Sequence, residues 1–336
     1  MHDSLKRIQY LNNFMRQRLV HLNLQILYQC NFRCKICDFW HKEYSRIPKL
    51  SLDEMQVIVD KLRPVAPLIV SIGGGEPLIH RDLIGLIRLL ARDHFPVMIC
   101  NGWYMTPEKA RAMFEAGLHE CSISVDYADA GKHDEQRGMP GAFDRAIQAL
   151  EMLQRNRIHR QQRVHMISVV MEDNLDEIEP LIKLAKEIGV TYLVTLYSHG
   201  RGKRANRKTE EDVSRHLLDL HKRHDNFVAI RSYLSRFTQA LEDGVSPCFA
   251  GKNLFNIDCQ GNITRCIDRL DLVAGNIFKD DFSTIQDALL EQYHAADCSA
   301  CWTSCRGNFE TLMYGRERWR NLFDGYRVSK GMPMSN

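Results

Sequence analysis

The stretch Cys30-Asn31-Phe32-Arg33-Cys34-Lys35-Ile36-Cys37 places three thiols within eight residues, directly after an apolar, strand-like run (Leu22, Leu24, Ile26, Leu27, Tyr28). We read it as an iron-sulfur ligand loop. A complete [4Fe-4S] shell takes four cysteine thiolates, so a group of three leaves one iron without a protein ligand. Such an iron is free to bind a small molecule and act on it, whereas a fully ligated cluster mainly passes electrons. The competing readings are a zinc loop or buried thiols. Zinc sites usually pair their ligands as CxxC with further partners, a spacing that CxxxCxxC does not follow.

Working outward, Ser51-Leu52-Asp53-Glu54 reads as a capping box that opens a helix through about residue 62. The apolar run Leu68, Ile69, Val70 and Ile72 is a second strand, and it ends in Gly73-Gly74-Gly75-Glu76-Pro77. The alternation continues with a helix over 83–92, a strand over 97–100 and a helix begun by Thr106-Pro107. Strands over 119–125, 164–170 and 192–196 follow, with helices over 142–153 and 175–188. Strand-helix alternation predicts an α/β fold with a parallel sheet and right-handed crossovers. Six units are too few for a closed eight-stranded barrel. Ligands of such folds bind at the C-terminal strand ends, where both the cysteine loop and the glycine turn fall.

On these two motifs the chain resembles the radical S-adenosylmethionine (SAM) superfamily: CxxxCxxC after the first strand, and Gly74-Gly75-Glu76-Pro77 after the second, similar to that family's GGEP loop. The resemblance implies a partial (β/α)6 barrel, open on one side. It implies that Cys30, Cys34 and Cys37 hold a [4Fe-4S] cluster whose fourth iron binds SAM. One electron would then cleave the sulfonium, giving methionine and a 5′-deoxyadenosyl radical that takes hydrogen from a substrate. Gly74, Gly75 and Glu76 are expected beside the methionine end, since glycines admit close approach and a carboxylate accepts from an ammonium. Ser124, and with it Asp126, stands at the family's ribose position after strand four. Arg201, in Gly200-Arg201-Gly202, is expected to pair with a carboxylate of SAM or substrate. Many relatives have an aromatic residue before the third cysteine, beside the adenine; here Ile36 stands there.

Beyond about residue 206 the alternation stops and a second cysteine set appears: Cys248, Cys259, Cys266, Cys298, Cys301 and Cys305. Residues 256–266 read as a hairpin turning at Gly261-Asn262. With the CxxC of Cys298 and Cys301, this resembles the SPASM or shorter Twitch extension. The implied count is one auxiliary [4Fe-4S] cluster on Cys248, Cys266, Cys298 and Cys301, with zinc as the competing occupant. Cys259 or Cys305 could replace one of these ligands, donate a hydrogen atom to a substrate radical, or be ordinary buried thiols. Cys100 and Cys121 read as core residues, and His165 as structural. The expected organisation is an N-terminal helical extension over 1–20, the radical SAM core over 21–225 and the auxiliary-cluster segment over 226–336.

A formal charge of +3 in 336 residues gives no reason to expect nucleic acid as the main partner. No apolar run reaches the roughly 18 residues of a membrane span, and the N-terminus lacks the apolar core of a signal peptide, so a cytoplasmic enzyme is expected. Its partners would be a small-molecule or peptide substrate and an electron donor such as flavodoxin or ferredoxin. Only about twenty residues precede the first strand, which favours a small molecule, by dehydrogenation or epimerisation, over peptide cross-linking. The alternative of another class is a non-enzymatic iron-sulfur or zinc protein that binds nucleic acid through the basic run from Arg201 to Lys208.

Overall fold

A computed structural model describes residues 3–198, 212–315 and 317–330. Strand β1 (His21–Leu27) is buried along its whole length. It lies between β2 (Ile69–Gly74) and β7 (Leu254–Ile257), parallel to both. From β2 the sheet continues through β3 (Phe95–Cys100), β4 (Glu120–Ser124), β5 (Arg163–Val170) and β6 (Thr191–Leu196), each parallel to the last. Beyond β7 it ends in the antiparallel strands β8 (Asn262–Thr264) and β9 (Val273–Asn276). The order is β6-β5-β4-β3-β2-β1-β7-β8-β9. Strands β1 to β6 form the parallel sheet expected from the alternation and the open barrel that the resemblance implied, and the Cys-rich segment extends the same sheet from the β1 edge.

The period of two along each strand divides the core. In β1, Leu22, Leu24 and Ile26 join the main apolar core. The alternate residues Asn23 and Gln25 face the barrel interior beside Ser71 and Gly73 of β2, their register partners. Ser122 and Ser124 share that face, in register with His165 and Ile167 of β5. His165 is fully buried, hydrogen-bonded to Thr191 and 3.4 Å from Glu120, as a structural plug would be. Cys100 and Cys121 are buried with their sulfurs 4.0 Å apart, in the main core.

Helix α1 (Asp3–Met15) precedes the sheet and the short α2 (Lys42–Ser45) follows the cysteine loop. Helix α3 (Leu52–Leu62) begins with the expected capping box, Ser51 and Glu54 each accepting from the other's backbone N–H. Then come α4 (Leu83–Ala91), α5 (Pro107–Glu115), α6 (Ala130–Arg137), α7 (Ala142–Arg155), α8 (Leu175–Ile188) and α9 (Val213–Arg223). Thr106 caps α5 ahead of Pro107. Helices α10 (Arg231–Leu234) and α11 (Phe237–Glu242) lead into β7, and α12 (Phe282–His294), α13 (Ser304–Tyr314) and α14 (Arg318–Lys330) close the chain. The α13 helix returns to the barrel: the Ser304 N–H donates to Thr195 Oγ1 of β6 at 3.0 Å. The hairpin turn between β7 and β8 falls one step earlier than expected, at Asp258–Gly261. Asp258 Oδ1 accepts from the N–H groups of Gln260 and Asn262, and Gly261 takes the positive φ of +79°.

Candidate active site

The three cysteines follow β1 on a loop gripped from two sides. On one side the glycine turn is tied to the end of β1, with Gly75 N–H to Leu27 O at 2.8 Å and Glu76 N–H to Gln29 O at 3.0 Å. A Cβ at Gly74 or Gly75 would lie 2.1 Å from the carbonyl oxygen of Leu27 or Gln29. These glycines are therefore required by the approach of the turn to the cysteine-bearing segment. On the other side the C-terminus of α6 accepts from the loop, Arg33 N–H to Arg137 O at 3.2 Å and Lys35 N–H to Gln136 O at 2.9 Å. Trp40 Nε1 donates to Cys34 O at 3.2 Å. Cys34 is buried, Cys30 and Cys37 are half-buried, and all three line one cavity of about 270 Å³.

Burial pushes the Cys30 thiol up to about 12, and the neighbouring Glu76, Cys34 and Cys37 push the same way. Burial also raises Cys34, against the pull of the Arg137 guanidinium beside it. Thiols held this high keep their protons near neutral pH unless a metal displaces them. Three thiols lining one cavity, with a buried guanidinium beside Cys34, are a donor set whose chemistry fits an anionic cluster. Arg137 had no signal in the sequence reading. Its side chain is nearly buried and its Nη2 lies 2.6 Å from Asp126 Oδ2.

Glu76 is buried, with Oε1 accepting from Leu78 N–H at 2.9 Å and Oε2 from Asn101 N–H at 2.8 Å. Desolvation raises it to about 7, although these bonds and the Lys109 charge oppose the shift. Glu76, Gly74, Gly75, Ser124 and Ile36 all line the cavity. Asp126 is not among the lining residues. It is fully buried, and its Oδ1 accepts from Val169 N–H at 3.0 Å while Oδ2 faces Arg137. Arg201 and the basic run through Lys208 lie outside the described residues.

In the C-terminal segment Cys248, Cys266 and Cys298 share one small apolar cluster with Ala250 and Leu254. Cys248 and Cys298 are hydrogen-bonded, which drives the Cys248 thiol up and pulls Cys298 down to about 5. Burial lifts Cys266 to about 12, helped by Asp268 and the nearby Cys301. Arg306 ties this group to α13, donating to Cys301 O at 2.6 Å, Pro247 O at 3.0 Å and Glu310 Oε1 at 2.9 Å. Among the described residues no three His, Cys, Asp or Glu side chains are grouped closely enough to hold a metal ion as they stand. The two remaining thiols part company. Cys305, in the first turn of α13, lines the barrel cavity. Cys259 is buried in the main core, with its thiol raised to about 12 by desolvation, and is not among the lining residues.

The pattern defining the Radical SAM superfamily matches residues 24–185. The AdoMet-dependent heme synthase of Methanosarcina barkeri is 31% identical over 191 residues, 56% of this chain and 54% of that protein. The chain spans about half the length of the heme synthases it matches. The mycofactocin maturase MftC of Mycolicibacterium smegmatis is 29% identical over 306 residues, 85% of this chain and 76% of that protein. Streptococcus suis SuiB, solved bound to precursor peptide SuiA, has the same fold at a TM-score of 0.68 and 16% identity, covering 89% of this chain and 74% of that one. Residues 24–185 thus form a domain of the Radical SAM superfamily, a family that uses a [4Fe-4S] cluster and SAM.

Proposed function

We propose that the protein is an enzyme that cleaves SAM reductively and takes hydrogen from a substrate held in the barrel cavity. The observation that carries this is the meeting of Cys30, Cys34, Cys37, Glu76 and Ser124 on one cavity wall. When bound, a reduced cluster with SAM supplies the 5′-deoxyadenosyl radical; the protein's part is positioning and exclusion of water. In this reading Cys30, Cys34 and Cys37 hold the cluster, Gly74, Gly75 and Glu76 shape the methionine end, Ser124 meets the ribose and Ile36 walls the adenine. Asp126 acts at one remove, by fixing Arg137. Cys248, Cys266, Cys298 and Cys301 are the proposed auxiliary set, and Cys305, on the cavity, is preferred over Cys259 as a hydrogen donor. Electrons would come from a flavodoxin or ferredoxin. The proposed segments are 1–20, 21–225 and 226–336, the last two sharing one continuous sheet.

For the substrate, the likeness that runs through both the barrel and the Cys-rich segment is to a maturase, which favours a peptide. The small-molecule reading, oxidation or epimerisation, draws on the heme synthase likeness, which reaches 56% of the chain. Anaerobic incubation of reconstituted protein with SAM and dithionite tests the enzyme class by release of 5′-deoxyadenosine. Permanent loss of substrate deuterium would mark oxidation or cross-linking, and solvent deuterium in product would mark epimerisation.

A further inference from the structure

Gln25 faces the barrel interior from β1, is fully buried and lines the cavity. Its orientation follows from a chain of hydrogen bonds that starts at a carbonyl. Cys266 O can only accept, so the Thr264 hydroxyl donates to it at 3.0 Å. The oxygen of that hydroxyl then accepts from Asn256 Nδ2 at 3.2 Å, which decides which way the Asn256 amide is turned. The same nitrogen donates to Gln25 Oε1 at 3.2 Å, and the Tyr28 hydroxyl donates there too, also at 3.2 Å. With Oε1 committed to the wall, Gln25 Nε2 is left buried and without a hydrogen-bond partner. A buried amide donor in that state is destabilising unless something accepts from it.

The space beside it is open. Gly73 is the register partner of Gln25 on β2, and a Cβ built there meets nothing within 4 Å. The other polar lining groups on the strands are neutral: Asn23 of β1, Ser71 of β2, Ser124 of β4 and Thr195 of β6. The charged lining groups Glu76 and Arg137 are held by backbone N–H groups and by Asp126. An ammonium would meet an N–H donor here, and a carboxylate would find no unpaired counter-charge among the described lining residues.

We infer that Gln25 selects the substrate by donating its Nε2–H to an uncharged carbonyl oxygen, such as that of an amide, seated beside Gly73. The inference rests on the cavity being the substrate chamber. It makes Gln25 a specificity-determining residue, and it ties the orientation of that residue to the segment bearing Cys266.

The test is ligand-observed NMR on reconstituted, SAM-loaded protein with three probes: N-acetylglycine N-methylamide, acetate and ethylammonium. The wild type should bind the amide at least about tenfold better than either ion. Gln25→Leu should weaken the amide about tenfold, and Gln25→Glu should reverse the preference toward ethylammonium. Equal binding of amide and ions, no binding of the amide, or amide binding unchanged in either variant would overturn the inference. The wild-type ranking decides the matter if a variant fails to fold, as read by circular dichroism. No probe needs SAM to be cleaved, so a wild type that fails to release 5′-deoxyadenosine would count against the proposed function and leave the Gln25 result to stand or fall separately.

Discussion

Arg137 Nη2 lies 2.6 Å from Asp126 Oδ2, a buried ion pair that connects the end of β4 with the cysteine loop. The guanidinium comes from the last turn of α6 and also faces Cys34, while the carbonyl of the same residue accepts from Arg33 N–H. One residue thus serves the loop through its charge and through its backbone. Removing one partner of a buried pair leaves an uncompensated charge, costing about 3–5 kcal/mol. Arg137→Leu should lose about that much stability in urea unfolding of the metal-free chain. The double variant Arg137→Leu with Asp126→Leu should recover part of the loss.

The glycine turn gives a graded series. Gly75→Ala and Gly74→Ala drive a methyl into a backbone carbonyl at 2.1 Å, whereas Gly73→Ala meets nothing within 4 Å. Thermal melting should place Gly73→Ala near the wild type and the other two well below it. SAM binding to reconstituted protein should fail in Gly75→Ala.

Metal content separates the two cysteine groups. The wild type, reconstituted anaerobically, should carry about eight irons, two cubanes' worth. Cys298→Ala or Cys266→Ala should bring this to about four, while Cys259→Ala, a core thiol, should leave it at about eight. Zinc in place of the second set of irons would mean that the C-terminal cysteines form a zinc site.

Three histidines should make the fold acid-sensitive. Burial lowers His21 and His94 to about 4 and His133 to about 3, the last with help from the Arg137 charge. Each sits below its ordinary value, so the fold requires the neutral ring. Their contribution is fully present above about pH 6.5 and is lost as pH falls toward 4. Each is worth up to about 3 kcal/mol over that range. The urea midpoint should therefore fall between pH 7 and 5. His133→Gln, which keeps an acceptor for the Asp126 N–H that His133 Nδ1 now takes, should shrink that fall.

The sequence showed the parallel strands because their periodicity is local. Leu22, Leu24 and Ile26 alternate with Asn23 and Gln25, and a capping box and a proline mark two of the helix starts. That Cys30, Cys34, Cys37 and Glu76 meet at one cavity could be anticipated because each motif is contiguous. Arg137 was not, since its role depends on a contact with Asp126 across eleven residues and a helix. Gln25 carries no signal in the sequence, since its unpartnered amide nitrogen emerges from a network reaching to Thr264. The merging of β7 with β1 was hidden for the same reason: it pairs segments more than two hundred residues apart.

The central claim is tested most directly by electron paramagnetic resonance of the reduced, oxygen-free protein with and without SAM, using Cys34→Ala as the comparison. The account predicts a [4Fe-4S] signal that shifts on adding SAM in the wild type, and no SAM-responsive signal in Cys34→Ala. A cubane spectrum indifferent to SAM, or a SAM response that survives in Cys34→Ala, would contradict it.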